Sequence, residues 1–243
     1  MQLGAEYYDL CRNNNATHFV QKVLKTFPLQ YTLAYFSYTV ENLLAFALDK
    51  NAMCVIKHMI RRFRELEGQE GVYYQDLELI RRQLITHVTF SVDRLIMDSY
   101  GNYVIQFCYE LFDLEKCSGI TERILSRFTY YAIGKFSSNV ILKCIQIYWT
   151  DQRIYSSLKG LPNNQIVEVF RNKDGNKILL EIMEKLEGTE LWDRLYAVLI
   201  RLEPTRFYHD RWGVCLGSRS GQVGGKFLSF PEPKSRNRNR KTK

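Results

Sequence analysis

The chain is poor in the residues that build metal centres and active sites. It has four histidines and six cysteines in 243 residues. Cys11, Cys54, Cys108, Cys117, Cys144 and Cys215 form no CxxC pair, and the histidines do not cluster around them, which argues against zinc. A Walker loop, HExxH, GxSxG and paired carboxylates in a glycine-flanked setting are all missing, so neither catalysis nor a cofactor is expected. GQVGGKF at 221–227 is glycine-rich but lacks the strand that a phosphate loop needs. No apolar stretch reaches the roughly 18 residues of a membrane span. The opening MQLGAEYYDL holds two acids and no apolar run, so no signal peptide is expected.

Basic charge is also scarcer than the total implies. The formal net charge is +8, from 34 Lys and Arg against 26 Asp and Glu. Six of the basic residues (Lys234, Arg236, Arg238, Arg240, Lys241 and Lys243) stand in the last ten positions, leaving 28 against 26 elsewhere. The excess is a property of the tail, and by itself it does not define a nucleic-acid surface. Such a tail is a solvated extension, or it serves phosphate attraction or nuclear import.

What the chain does have is one frame, written five times. The stretch DSYGNYVIQFCYELF, residues 98–112, reads as a turn leading into an amphipathic helix. Taking Asn102 as the anchor of a five-residue window, equivalent anchors stand at Thr17, Met53, Ser138 and Asn176. The preceding residue is small each time: Ala16, Ala52, Gly101, Ser137, Gly175. Apolar residues recur two, three, six, seven and ten positions on, from Phe19, Val20, Val23, Leu24 and Phe27 in the first window to Ile178, Leu179, Ile182, Met183 and Leu186 in the fifth. The anchors are 36, 49, 36 and 38 residues apart, the period of a helical repeat array. The stripes are expected to be core. Cys108 and Cys144 share one core position, where they read as small buried hydrophobes, and the implied compartment is reducing.

Between the windows, Pro28 is expected to end the first helix, and 31–48 reads as one or two helices. ELEGQEGVYYQD (65–76) reads as an exposed loop that takes up part of the longer spacing, followed by a helix pair over 77–96. Residues 119–133 and IYSSLKGLPNNQIVEVF give further leading helices. Residues 190–202 start a sixth unit, whose turn DRWGVCL with Gly213 runs into GSRSGQVGG and fails. The array is expected over 1–216, opening on an incomplete unit, with 217–243 a Gly, Pro and basic tail expected to be disordered.

On a 3.6-residue helix the first, second and fifth residues of a window fall at about 0, 100 and 40 degrees, so they share a face. In the central window these are Asn102, Tyr103 and Gln106, an aromatic ring between two amides that can stack on one RNA base and hydrogen-bond its edge. Alone, Tyr103 would be a surface aromatic, His18 a polar helix residue and Asn102 a helix N-cap.

DSYGNYVIQ and the following GKFSSNVILKC resemble the repeat signature of the Pumilio, or PUF, family of RNA-binding proteins, over about residues 10–216. The resemblance implies an all-α, right-handed solenoid forming a crescent. It also implies one RNA base per repeat, met by the first and fifth window residues and stacked by the second. By that resemblance Asn102, Tyr103 and Gln106 look like a uracil reader, and Thr17, His18 and Gln21 suggest adenine. Ser138 and Asn139 match a guanine-reading repeat, but Leu142 stands where that repeat has Glu. Asn176 suits uracil, yet Lys177 and Leu180 replace the aromatic and the Gln. Met53, Cys54 and Lys57 match no reading pair. Losing the carboxylate at 142 removes the acceptor for guanine N1 and N2, and Lys57 and Lys177 are placed to meet phosphate, which adds affinity without sequence information. The resemblance thus implies binding of single-stranded mRNA at a UGU-like core in 3′ untranslated regions, with an adenine further 3′. It also implies recruitment of deadenylase or translational repressor proteins, and a cytoplasmic site of action. A nucleolar protein binding RNA without base reading, and a helical scaffold for protein partners, are the alternatives.

Overall fold

The computed structural model describes residues 2–202, so the turn at Gly213, Cys215, the glycine-rich 221–227 and the tail expected over 217–243 lie outside the described residues. The array is all α-helical among those residues, and Met1–Leu199 cluster as one unit. Every window begins a helix: α2 (Ala16–Thr26), α5 (Ala52–Glu65), α8 (Gly101–Leu111), α11 (Ser137–Tyr148) and α14 (Gly175–Lys185). A leading helix precedes each: α1 (Gln2–Arg12), α4 (Leu43–Ala47), α7 (Val92–Met97), α10 (Phe128–Ala132) and α13 (Asn163–Arg171). The remaining helices follow the windows: α3 (Leu29–Glu41), α6 (Val72–Phe90), α9 (Ser118–Leu125), α12 (Gln152–Lys159) and α15 (Glu190–Leu202). The window helices pack in one row, α2 on α5, α5 on α8, α8 on α11 and α11 on α14, while α3, α6, α9 and α12 pack in a second. Each unit touches its neighbours in sequence, which is the logic of a solenoid.

The same local chemistry starts four of the five window helices. Four residues before the anchor stands Asn13, Asp49, Asp98 or Asn172, and its Oδ1 accepts from the backbone N–H groups two and three residues later, at 2.8–3.0 Å. These bonds satisfy donors that a helix start leaves without partners. In the fourth unit Gly134 replaces the side chain, and the Ser137 hydroxyl ties the turn down by donating to the Tyr131 carbonyl at 2.6 Å. The small residue before the anchor is a packing requirement. A Cβ on Gly101 would sit 2.9 Å from the Leu95 carbonyl oxygen, and one on Gly175 2.5 Å from that of Val169.

The apolar frame is buried in the second to fifth windows, apart from a half-buried Tyr148, and Val55, Val104, Val140 and Ile178 have no exposed surface. Cys108 and Cys144 are buried as expected. The first window departs from the frame: Phe19 is 68% exposed, Phe27 is exposed as well, and Val23 is only half buried. The reason is positional, because α5, α8, α11 and α14 each have a window helix packed ahead of them, and α2 has none among the described residues.

The stretch read as a loop over 65–76 is shorter than that. α5 runs to Glu65, and α6 starts at Val72, where Tyr74 and Gln75 already donate to the Gly71 carbonyl. The turn is confined to 66–71, where Gly68 (φ 78°) and Gly71 (φ 128°) take backbone angles that favour glycine. The extra spacing between the second and third windows lies largely in α6, which has 19 residues against 13 in α3 and 8 in α9.

Neighbouring units are also tied by polar bonds. The Tyr148 hydroxyl lies 2.8 Å from the Tyr109 carbonyl and 2.7 Å from that of Phe112, so the fourth window donates to the end of α8, where backbone acceptors lack helical partners. Tyr148→Phe is expected to cost about 1 kcal/mol, seen as a lower urea midpoint with an unchanged slope.

Candidate nucleic-acid interface

All five anchors lie one residue inside their helices, so the first, second and fifth residues of successive windows line up along one row. The third window is the most completely built. Asn102 is 2% exposed, and its Nδ2 donates to the carbonyls of Asp98 (2.8 Å) and Ser99 (3.1 Å). Carbonyls only accept, so they fix which end of the amide is nitrogen. Oδ1 therefore points along the helix and accepts from Gln106 Nε2 at 2.8 Å. Asn102 is not the acceptor cap that its place after Gly101 allows, because Asp98 fills that role. Gln106 is left with Oε1 and one N–H. Beside it Tyr103 is 45% exposed, and its ring stacks near-parallel to Phe107 at 6.4 Å between centroids.

The first window repeats this scheme with a hydroxyl. The buried Thr17 donates to the Asn51 carbonyl at 3.4 Å and accepts from Gln21 Nε2 at 3.0 Å, with His18 exposed alongside. The second window places Met53 in the core and leaves Cys54 half buried, with Lys57 Nζ 4.9 Å from the Phe107 ring centre, a cation–π contact that joins α5 to α8. In the fourth, Ser138 is buried and bonded to the Lys135 carbonyl at 3.4 Å, Asn139 is exposed, and Leu142 is half buried. In the fifth, Leu180 is 8% exposed and cannot make the donation that Gln106 makes, so the buried Oδ1 of Asn176 has no partner among the described residues. Its Nδ2 donates to Phe170, and Lys177 pairs with Asp174 at 3.7 Å. The structure thus brings all fifteen candidate residues onto one row of helices, and only the first and third windows hold a polar first–fifth pair.

Continuing each window by the helical period adds residues that the five-residue frame missed. Six residues into the window stand Lys22, His58, Phe107, Lys143 and Glu181, and nine in stand Lys25, Arg61, Glu110, Gln146 and Glu184, at about 140 and 80 degrees from the anchor. Burial, and then the charges of Arg61, Lys57 and Lys25, hold the His58 imidazole below its usual pKa. The signal was in the sequence, four residues beyond where the window was closed.

A row of helices in which every third one carries the same frame defines an α-solenoid repeat protein. The sequence model of the Pumilio-family RNA binding repeat matches residues 6–33 and 91–125. Pumilio homolog 12 of Arabidopsis thaliana is 23% identical over 184 residues, covering 74% of this chain and 28% of the relative. A pumilio domain-containing protein of Schizosaccharomyces pombe is 26% identical over 136 residues, 56% of this chain and 18% of the relative. The chain therefore spans less than a third of the length of these relatives. Among solved structures, PUF-6 in complex with 5BE13 RNA superposes with a TM-score of 0.74 at 15% identity, over 88% of this chain and 65% of that one. The Puf4 RNA binding domain bound to the HO endonuclease RNA 3′ UTR recognition sequence gives 0.68 at 20% identity, over 87% and 64%. These matches support a divergent repeat protein similar to the Pumilio family.

Proposed function

We propose that the chain binds single-stranded RNA along its row of window helices, one base per intact window, with uracil at the third. The observation that carries this reading is the third window itself: an exposed Tyr103 ring beside a Gln106 amide whose orientation Asn102 fixes. The free Oε1 and N–H of Gln106 match the N3–H donor and the carbonyl acceptor of uracil, while Tyr103 stacks on the ring face. Cytosine presents a lone pair at N3, facing Oε1 without a proton between them. Asn102 acts by positioning Gln106. Gln21, held by Thr17, offers the same amide to a second base, adenine in this proposal, with His18 stacking. The fourth window, with Leu142 in place of a carboxylate, supplies stacking and shape. A UGU-like core in the 3′ untranslated region of an mRNA fits this pattern. Control of translation or decay in the cytoplasm through a deadenylase or translational repressor is the biological role proposed. The RNA-bound state of the superposable structures and the family of the matched repeats support RNA as the partner.

The test is binding to a short UGU-containing RNA and to the same RNA with each uracil replaced by cytosine, at about physiological salt. A loss of tenfold or more on replacement, about 1.4 kcal/mol, that disappears in the double variant Tyr103→Ala, Gln106→Ala is the expected result. Equal binding to all RNAs would remove base reading from the proposal, and no binding would turn it toward protein partners.

A further inference from the structure

The charge on the window helices is divided along the row. α2 carries two lysines and no acid, and α5 carries four Lys and Arg and one glutamate, whereas α8, α11 and α14 together hold three lysines and three glutamates. On α5 two of the four cations, Arg62 and Arg64, are held by Glu65 and Glu67, and the lysines of the later window helices are held as well. Lys143 is bound to Glu110 at 2.8 Å, Lys177 to Asp174 at 3.7 Å and Lys185 to Glu181 at 3.6 Å. Among the described residues, no ion pair engages Lys22, Lys25, Lys57 or Arg61. The acid nearest in sequence, Glu65, is bound by Arg62 at 3.3 Å.

These four cations lie on the face of the window residues: Lys22 and Lys25 on α2, one and two turns below His18, and Lys57 and Arg61 on α5, on successive turns beside Cys54. The charges of Arg61, Lys57 and Lys25 all act on the His58 imidazole. Packing of α2 against α5 brings the two pairs together, and Phe107 beneath Lys57 joins the cluster to the third window. Four unpaired cations at one end of a face built for a strand are a site for a polyanion.

We propose that Lys22, Lys25, Lys57 and Arg61 form a phosphate-binding patch that grips the RNA backbone beyond the base held at the third window, so that the second window contributes affinity without reading a base. The inference rests on the RNA reading above. It explains why the second window has no polar first–fifth pair: a patch that takes phosphates has no need of one. It makes the array a reader at its centre with an electrostatic hold on one side.

The experiment measures Kd across a salt series for the whole chain on a uracil-containing RNA extended by a few nucleotides on one side or the other. Wild type is compared with Lys25→Gln, Arg61→Gln and, separately, with Lys57→Gln. Each phosphate contact on a single strand adds roughly 0.7 to the slope of log K against log salt, so the double variant is expected to lose about 1.4 of slope with its uracil-over-cytosine ratio unchanged. A single abasic nucleotide next to the uracil, at the position that faces the second window, is expected to bind as well as an intact one. A slope unchanged in both variants, or affinity lost with that one abasic nucleotide, would overturn the patch while leaving the central reader intact. Absence of RNA binding by wild type would overturn the RNA reading and the patch with it. The substituted side chains of Lys25 and Arg61 are exposed, and melting curves matching wild type confirm that the folds compared are the same.

Discussion

Replacing Ile105 by alanine is expected to remove about 2–5 kcal/mol of stability, while Phe19→Ala, one position earlier in the frame of the first window, is expected to change little. Ile105 has no exposed surface and lies in the middle helix of the row, packed between α5 and α11. Truncation there deletes three buried carbons and leaves a cavity that rigid neighbours fill only in part. In a nearest-neighbour array the central unit also carries two interfaces, so the loss is felt on both sides. Phe19 keeps most of its surface in water in the folded chain, so its removal forfeits little burial. Urea unfolding followed by circular dichroism and by tyrosine fluorescence measures both. Equal losses for the two variants would mean that the first window is covered in solution.

Gly101→Val should be the second large effect. An added Cβ would meet the Leu95 carbonyl oxygen at 2.9 Å, the Leu95 Cα at 3.1 Å and a Leu48 methyl at 3.2 Å. Two of the three are backbone atoms and cannot swing aside, so α8 must move away from α7. Overpacking of this kind costs about 1–3 kcal/mol. Because Asn102, Tyr103 and Gln106 follow directly, RNA affinity should fall together with stability. Gly160→Ala is the control: its Cβ finds its nearest neighbour at 3.4 Å and its φ of −78° suits any residue, so the melting temperature should hold or rise slightly. A melt of Gly101→Val that matched wild type would show that the small residue before the anchor is not required by packing.

The helical frame was legible because it is written five times, and repetition turns a weak period into a register that places every window helix to the residue. The same repetition hid what differs between units. Phe19 and Val104 occupy equivalent positions, and only the packing order shows that one is covered and the other is not. The start of α6 at Val72 was obscured by two glycines and a run of acids, since Gly71 both turns the chain and offers the carbonyl on which the helix begins. In the site, the residue types of the third window were evident, but the direction of its hydrogen bonds was not. Spacing alone cannot tell that Asn102 spends both amide hydrogens on its own turn and faces Gln106 with its oxygen. The cation cluster stayed hidden for another reason: net charge counts a lysine equally whether a glutamate holds it or not.

The bonds from Gln106 to Asn102 and from Gln21 to Thr17 bear on the thermodynamics of capture. A free glutamine side chain gives up as much as about 1.5–2 kcal/mol of rotamer entropy when it is immobilised. In this chain part of that loss is incurred on folding, before any ligand arrives, so an amide at these two positions engages its target with a smaller entropic penalty. The exposed side chains of Lys22, Lys25 and Arg61 have no such restraint among the described residues and must be ordered at the moment of contact. Calorimetry should therefore separate the two kinds of contact: a smaller entropic cost for recognition at Gln106 and Gln21, and at the basic side chains an ordering cost set against the release of counterions.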